Sequence, residues 1–358
     1  MDQKVIALPY PIAQSLVSWF ALHARELPWR EGCDPYAIWL SEIILQQTRV
    51  DQGLQYYLRF LERFPTVTDL ARASEDEVLR LWQGLGYYSR AYHLHKAAQI
   101  IEQKHHGQFP SDYKTIQSLP GIGAYTAGAI ASFAFDQPYP AVDGNVLRVI
   151  SRLLASDLPI DTPAGQKLCT QAVEELLESK LSPRILGQAL IELGALICTP
   201  KSPQCDQCPI QAQCQVAGLP RATELPLKRG KLKIRTRYLN FVCCEYERQI
   251  LIGKRDRNDI WRGLYQLPLI ESEVPIHREE IAEQLQALLH LSETPSLHSP
   301  QNQRHKLSHQ QLFITIYQTE LLAPPHPLPK ALQWVASSEL EHYAFPIPLK
   351  RFLEDRGV

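Results

Sequence analysis

Four cysteines, Cys198, Cys205, Cys208 and Cys214, stand in one short stretch in the order C-x6-C-x2-C-x5-C. A tight Cys-x-x-Cys pair flanked by two more thiols can wrap a compact metal centre. Thiolates are soft ligands and favour zinc or an iron–sulfur cluster. Two disulfides are the competing use of four cysteines. Met1 to Pro11 has neither a long apolar core nor a small-residue cleavage site. A cytoplasmic location is therefore expected, and a reducing compartment keeps clustered thiols available as ligands. Cys33, Cys169, Cys243 and Cys244 show no ligand spacing and read as buried or incidental thiols.

Two carboxylates draw attention for different reasons. Glu42 lies among Trp39, Ile43 and Ile44 in an apolar helical stretch. A carboxyl held there loses water, which raises its pKa and suits a proton donor; an exposed helix acid is the plainer alternative. Asp143 stands directly before Gly144 and a helical stretch, where capping is the commonest job of aspartate. The helix N-terminus would help to hold it ionised.

The segment Leu119-Pro120-Gly121-Ile122-Gly123-Ala124-Tyr125-Thr126-Ala127 is the most specific local motif. Two glycines flanking one apolar residue allow a tight turn between helices. The N–H groups opening the second helix then offer a seat for a phosphate, with Gly121 and Gly123 as the backbone contacts. A plain helix–helix turn would use the same residues.

These groups need a scaffold. The chain has 358 residues, 45% of them hydrophobic, and a formal net charge of −1. That length suggests about two or three domains, and no apolar run is long enough to span a membrane. Near-neutral charge leaves room for a local nucleic-acid footprint. Lys228, Arg229, Lys231, Lys233, Arg235 and Arg237 form a basic stripe without an acid among them, equally readable as a solvated linker and strand edge. Up to Cys198 the periodicity is helical: Pro11–Ala24, a helix opened by Asp34-Pro35, another opened by Ser74-x-x-Glu77, then Ser89–Gln103, Asn145–Leu154, Pro163–Leu177 and Pro183–Ile197. After Cys214 the pattern changes. Arg237–Cys243, Gln249–Gly253 and Leu312–Tyr317 read as strands, with a helix over His277–Leu289. The expected architecture is a mostly α domain, residues 1–218, including the cysteine loop 198–214. A linker, 219–234, leads to a smaller α+β domain, 235–358.

The cysteine spacing, the L-P-G-I-G hairpin and several dispersed segments together resemble the endonuclease III-like helix–hairpin–helix glycosylases. The segments are Leu27-Pro28-Trp29-Arg30, Trp39–Ile43, Leu45–Val50, Gly84–Arg90 and Val142–Val146. Their details are similar to the A/G-specific, MutY-type adenine branch. That resemblance implies a [4Fe–4S] cluster on the four cysteines; its role is open between clamping a loop whose basic face, with Lys201, meets phosphate and a redox function. It also implies hydrolysis of the N-glycosyl bond of adenine mispaired with 8-oxoguanine or guanine in double-stranded DNA. Such a bond breaks through an oxocarbenium-like transition state, for which two carboxylates in different environments are suited. The resemblance gives Glu42 protonation of adenine N7 and Asp143 stabilisation of the sugar cation. Tyr125 occupies the position where bifunctional relatives carry a lysine that forms a Schiff base, so a monofunctional enzyme leaving an abasic site is expected.

The flipped base would be met by Arg25, Trp29, Arg30 and Glu192. Gln47 and Tyr87 resemble wedge residues, and Thr48 and Leu85 would face the opposite base; core packing is the ordinary fate of Trp29, Leu85 and Tyr87. The second domain resembles a Nudix fold through Gly253-Lys254-Arg255 and Trp261–Pro268. Its helix, His277–Gln284, lacks the ordered glutamates of the pyrophosphohydrolases, so that activity is not expected. Lys306-Leu307-Ser308-His309 is similar to the family's F-S-H loop, with leucine replacing phenylalanine, and makes Ser308 and His309 candidates for contacting 8-oxoguanine. A monomer is expected, and enzymes that process abasic sites are candidate partners.

Overall fold

The computed structural model describes residues 10–230, 234–256, 259–307 and 309–357. Ser308 lies outside them. By its contacts the chain divides into two compact units. One holds residues up to Arg72 together with Lys96–Gly230, and the other holds Ala73–His95 together with Lys231–Val358.

The helices run in order as α1 (Tyr10–His23), α2 (Pro35–Leu45), α3 (Val50–Arg63), α4 (Val67–Arg72), α5 (Glu75–Trp82), α6 (Ser89–His105), α7 (Tyr113–Gln117), α8 (Ala124–Phe135), α9 (Gly144–Leu153), α10 (Pro163–Leu177), α11 (Pro183–Leu196) and α12 (Arg221–Glu224). Their starts follow local chemistry. Asp34 accepts from the N–H groups of Tyr36 and Ala37, with Pro35 in the first turn of α2. Ser74 accepts from Glu77 N–H at α5, and Thr162 and Ser182 cap α10 and α11.

In the first unit, α1, α9, α10 and α11 share a core containing Leu16, Val149, Ile150, Val173, Leu190 and Leu193. Truncating a fully buried leucine such as Leu16 to alanine costs about 2–5 kcal/mol. Two glycines set how closely helices approach the segment carrying Asp143. A Cβ on Gly128 of α8 would lie 2.1 Å from the Pro140 carbonyl oxygen, and one on Gly194 of α11 would lie 2.6 Å from Asn145 Cβ. Neither position has room for alanine. Residues 219–227, read from sequence as the start of a linker, carry α12 and bury Ala222 and Leu225 against Val216; Ile160 N–H donates to the Leu227 carbonyl.

The second unit is built on a mixed sheet of β1 (Arg235–Tyr246), β2 (Gln249–Lys254), β3 (Tyr265–Gln266), β4 (Leu269–Ser272), β5 (His298–Lys306), β6 (Gln310–Glu320) and β7 (Leu332–Ala336). Long β1 is the spine. It pairs parallel with β6 from Arg235↔Gln310 to Glu245↔Glu320, and antiparallel with β2 and β4. The helix α13 (Arg278–Leu289) lays Ile281, Leu285 and Leu289 against Val242, Cys244 and Leu251, and α14 (Ile347–Glu354) closes the unit with Leu349, Phe352 and Leu353 buried. Glu279, Glu280 and Glu283 of α13 face solvent. Within this unit α5 is tied to β2 by Lys254 Nζ, 2.6 Å from Asp76 Oδ1, and Gln83 Nε2 donates to the Phe345 carbonyl at 2.8 Å.

Sequence reading anticipated three strands, and the sheet has seven. The missed β5 reads HSPQNQRHK, is almost wholly exposed, and pairs with β6 across an irregularity at His298/Gln301. An edge strand need not alternate apolar and polar residues, and it tolerates Pro300. Among the described residues no helix is long and apolar enough to cross a membrane.

Candidate active site

A cavity of about 370 Å³ in the first unit is lined by Arg25, Trp29, Arg30, Ser41, Glu42, Gln46, Gln47, Thr48, Tyr125, Asp143 and Asn145. Residues read separately from sequence thus meet at one site. Glu42 comes from α2, Tyr125 from the first turn of α8, and Asp143 from the residue before α9. Tyr125 Oη donates to Glu42 Oε2 at 2.7 Å. Burial pushes the Glu42 carboxyl up to about 7; the Tyr125 hydrogen bond and Arg30 pull the other way, and Asp143 adds to the rise. Burial, with Glu42 and Asp143 nearby, drives Tyr125 well above an ordinary phenol.

Asp143 caps α9 and also faces the cavity. Its Oδ1 accepts from Asn145 and Val146 N–H, both at 2.8 Å, and Oδ2 accepts from Asn145 Nδ2 at 2.7 Å. These bonds favour the carboxylate, as the helix terminus suggested. Burial outweighs them, however, and the net displacement of Asp143 is upward.

Glu192, on α11, is fully enclosed. It accepts from Arg25 N–H at 2.9 Å, Arg25 Nε and Nη2 at 2.8 Å, and Arg30 Nη2 at 2.8 Å. Burial alone would raise its pKa, but the Arg25 and Arg30 hydrogen bonds bring it down to about 2. Arg30 Nη1 also donates to the Arg25 carbonyl, at 3.0 Å. The bend holding Trp29 between the two arginines is therefore locked onto one buried carboxylate. Trp29 meets Tyr57 edge-on at 5.2 Å and is only partly covered, so it is a cavity wall rather than core.

The hairpin forms as its glycines imply. Gly121 has φ +76°, Ile122 is buried, and Gly123 is the N-cap of α8 without a side-chain cap. A Cβ on Gly123 would meet nothing within 4 Å, so packing inside the protein does not require that glycine.

Asn145, Arg148 and Arg152 were not singled out from sequence. They recur along α9 at helical spacing, but an arginine on a helix is ordinarily solvated, and only the fold shows what these touch. Arg148 donates to Asn145 Oδ1 at 2.9 Å, Gly194 O at 2.7 Å and Cys198 O at 2.7 Å, which joins Asp143 to the cysteine loop through two side chains. Arg152, 2% exposed, donates to Thr199, Pro200 and Leu225 carbonyls and to Cys198 Sγ at 3.3 Å.

Cys198, Cys205, Cys208 and Cys214 line one small cavity together with Arg152. Burial and the neighbouring thiols push Cys208 up to about 11, so bound metal is what would let that thiol ionise near neutrality. The recorded partners of Arg152 are carbonyl oxygens and sulfur, with no carboxylate among the described residues. A buried guanidinium needs a counter-charge, and a thiolate-held cluster supplies one. The four cysteines and Arg152 fit an iron–sulfur cluster on that ground. Lys201 of the loop is exposed.

In the second unit, Leu85, Tyr87, Tyr92, Trp261, Arg262 and His309 line a separate cavity of about 600 Å³. Tyr87 is 43% exposed at φ +47°, whereas Leu85 is only 7% exposed and offers a contacting base little surface. Gln47, in the first unit, is likewise exposed at φ +57°. Left-handed backbone is uncommon for such residues and often marks functional loops. Of the basic stripe, Lys228, Arg229 and Arg235 are exposed, whereas Arg237 is not a surface residue. Arg237 is 3% exposed and ion-paired to Asp259 and Glu271, and Arg235 pairs with Glu273; Lys231 and Lys233 lie outside the described residues.

Comparison with known proteins finds three matching regions. Residues 40–175 match the family described as HhH-GPD superfamily base excision DNA repair protein. Residues 198–214 match the iron–sulfur binding domain of endonuclease III, and residues 240–355 a NUDIX domain. The expected order, a helical helix–hairpin–helix domain with a cluster loop and then a Nudix-like α+β domain, holds. The chain is 35% identical over 304 residues to an adenine DNA glycosylase of Buchnera aphidicola subsp. Baizongia pistaciae, covering 84% of each. It is 43% identical over 211 residues to the Homo sapiens adenine DNA glycosylase, covering 56% of this chain and 38% of that one. Among solved structures, a thermostable thymine-DNA glycosylase aligns with TM-score 0.52 and 26% identity over 57% of this chain and 94% of its own.

Proposed function

This chain belongs to the adenine DNA glycosylases, enzymes that remove adenine from DNA in base excision repair, and we propose that Glu42, Tyr125 and Asp143 carry out the excision. The single observation behind this is the juxtaposition of Glu42 and Asp143 in one cavity with Tyr125 bonded to the former. With a pKa of about 7, Glu42 is substantially protonated near neutrality and can donate to N7 of the leaving adenine. Asp143, ionised, opposes the positive charge developing on the sugar. Tyr125 orients the Glu42 carboxyl and offers no amine for an imine. Water therefore completes the hydrolysis, and an abasic site remains.

Adenine must leave the duplex to enter the cavity. Trp29, held by the Arg25–Glu192–Arg30 ion triad, provides a wall for it. Gly121, Gly123 and the uncapped N–H groups of α8 seat a phosphate, and open space at Gly123 lets a strand approach. Gln47 and Tyr87 are the proposed wedges, and Thr48, Leu85, His309 and, outside the described residues, Ser308 are the proposed contacts of the opposite base, 8-oxoguanine or guanine. Cys198, Cys205, Cys208 and Cys214 would hold the [4Fe–4S] cluster, and in its structural role such a cluster would fix the loop carrying Lys201. The domain limits, 1–218 and 235–358 joined by 219–234, the monomeric state, work at the nucleoid in the cytoplasm and hand-over to abasic-site enzymes complete the reading.

A duplex with one adenine opposite 8-oxoguanine tests it. Enzyme treatment should yield strand breaks only after hot alkali. Breaks without alkali, from protein free of nuclease, would restore a lyase and contradict the role of Tyr125. Specific binding without breaks in either condition would instead mark a lesion-sensing protein.

A further inference from the structure

Two segments line the second-unit cavity, one with Asp259, Ile260, Trp261 and Arg262, the other with His305, Lys306, Leu307, His309 and Gln310 where β5 gives way to β6. Both are fastened to one side chain on β1. Arg237 donates from Nη1 to Gln310 Oε1 at 2.9 Å and from Nε to Glu271 Oε1 at 2.7 Å, and its Nη2 lies 2.6 Å from Asp259 Oδ2. The same Asp259 oxygen accepts from Arg255 Nη2 at 3.0 Å, and Arg255 Nε holds the Ile260 carbonyl at 2.9 Å. Gln310 adjoins His309, whose carbonyl accepts from Arg235 N–H; the turn is closed by Leu307 N–H donating to the Gln310 carbonyl. The first loop presents Trp261 at φ +62°, an outlier for a bulky residue. Its ring lies 5.9 Å from His305, and Arg262 stacks on Tyr92 at 5.0 Å.

Burying two guanidinium groups with their carboxylates brings little net stability, because desolvation offsets their attraction. What the arrangement does supply is registry. We infer that Arg237 is a positioning residue for recognition of the base opposite adenine, setting the His309 loop and the Trp261–Arg262 loop at fixed separation through Gln310 and Asp259. This rests on the proposed role of His309. Lysine at 237 would keep the charge but has no planar fork able to serve Glu271, Asp259 and Gln310 together.

The test uses the full chain with Arg237→Lys, Gln310→Met, His309→Ala and the double variants with His309→Ala. The quantity measured is the ratio of single-turnover rate and affinity for adenine opposite 8-oxoguanine to those opposite guanine. Arg237→Lys and Gln310→Met should each lower that ratio by about tenfold, the order expected when a contact is misplaced by a fraction of an ångström. Adding His309→Ala to either should lower it little further. A purely structural role would reduce both substrates alike and leave the ratio unmoved. An unchanged ratio in Gln310→Met, with a reduced ratio in His309→Ala, overturns the inference even if Arg237→Lys does not fold. An unchanged ratio in His309→Ala overturns instead the reading of the loop itself.

Discussion

In the first unit's cavity Glu42 is held near 7, while in the second unit Asp259 is brought to about 2 by the Arg237 and Arg255 guanidinium groups that outweigh its burial. Glu42 has a neutral partner, Tyr125, while Arg25 and Arg30 bond to Glu192 instead. Asp259 Oδ2 meets both Arg237 and Arg255. The difference separates two uses of a buried acid. A carboxyl that must exchange a proton is left without a cation of its own, whereas one that must hold loops in place is saturated. The first unit contains both kinds, Glu42 with its pKa raised and Glu192 with its pKa lowered.

Breaking the proton-exchanging member should have the largest effect. Glu42→Gln is expected to slow adenine release by about 10³-fold, as loss of a general acid does. Binding to the mispaired duplex should persist, because the amide keeps the shape. A single-turnover rate within tenfold of the parent would show that protonation comes from elsewhere.

Breaking the saturated member acts differently. Glu192→Gln leaves Arg25 and Arg30 without their buried anion, and about 3–5 kcal/mol of stability should be lost. Denaturant melts followed on the helical signal measure this, and a loss below about 1 kcal/mol would mean that the triad is not the anchor of the Trp29 bend. The sign with pH follows from the low pKa of Glu192: its stabilisation is present above the ordinary carboxylate value and is lost as pH falls towards 2.

A smaller effect is expected across the second cavity. His309→Ala removes one polar contact, worth about tenfold in preference for 8-oxoguanine over guanine, measured by competition between the two duplexes. Smallest is Tyr125→Phe. The Tyr125 hydrogen bond lowers the Glu42 pKa, so removing it should move the pH dependence of the rate upward while the phenyl ring keeps the wall intact.

How far the sequence carried these assignments depended on whether the partners were local. Glu42 stood out because its neighbours Trp39, Ile43 and Ile44 are apolar, with its role supplied by the family resemblance, and Asp143 because a helix start can be read from Asp-Gly-Asn. That Asp143 both caps α9 and faces the cavity follows from the same local geometry, so its two readings were not in competition. The cysteine loop declared itself by spacing. Arg148 and Arg152 did not, since their acceptors, the Gly194 and Cys198–Pro200 carbonyls, are supplied by another helix and the loop after it. Arg237 was misread as part of a basic surface for the same reason. Its acceptors, Asp259, Glu271 and Gln310, lie on three later segments, and only the pairing of β1 with β4 and β6 brings two of them to it. Tertiary pairing also explains β5, an edge strand whose side chains carry no burial pattern.

The most direct test of the central claim is the pH dependence of adenine release under single-turnover conditions. A neutral Glu42 is the reactive form, so the rate should be highest below pH 7 and fall through about 7, approaching tenfold per unit above it. The same titration enters stability with a definite sign. Because the folded pKa is raised, the stabilisation is fully present below the ordinary glutamate value and is lost as pH rises through about 7. A rate that falls near 7 in the parent and near a higher pH in Tyr125→Phe would confirm Glu42 as the acid. A rate that stays flat from pH 6 to 9, or a fall that Tyr125→Phe leaves in place, would contradict it.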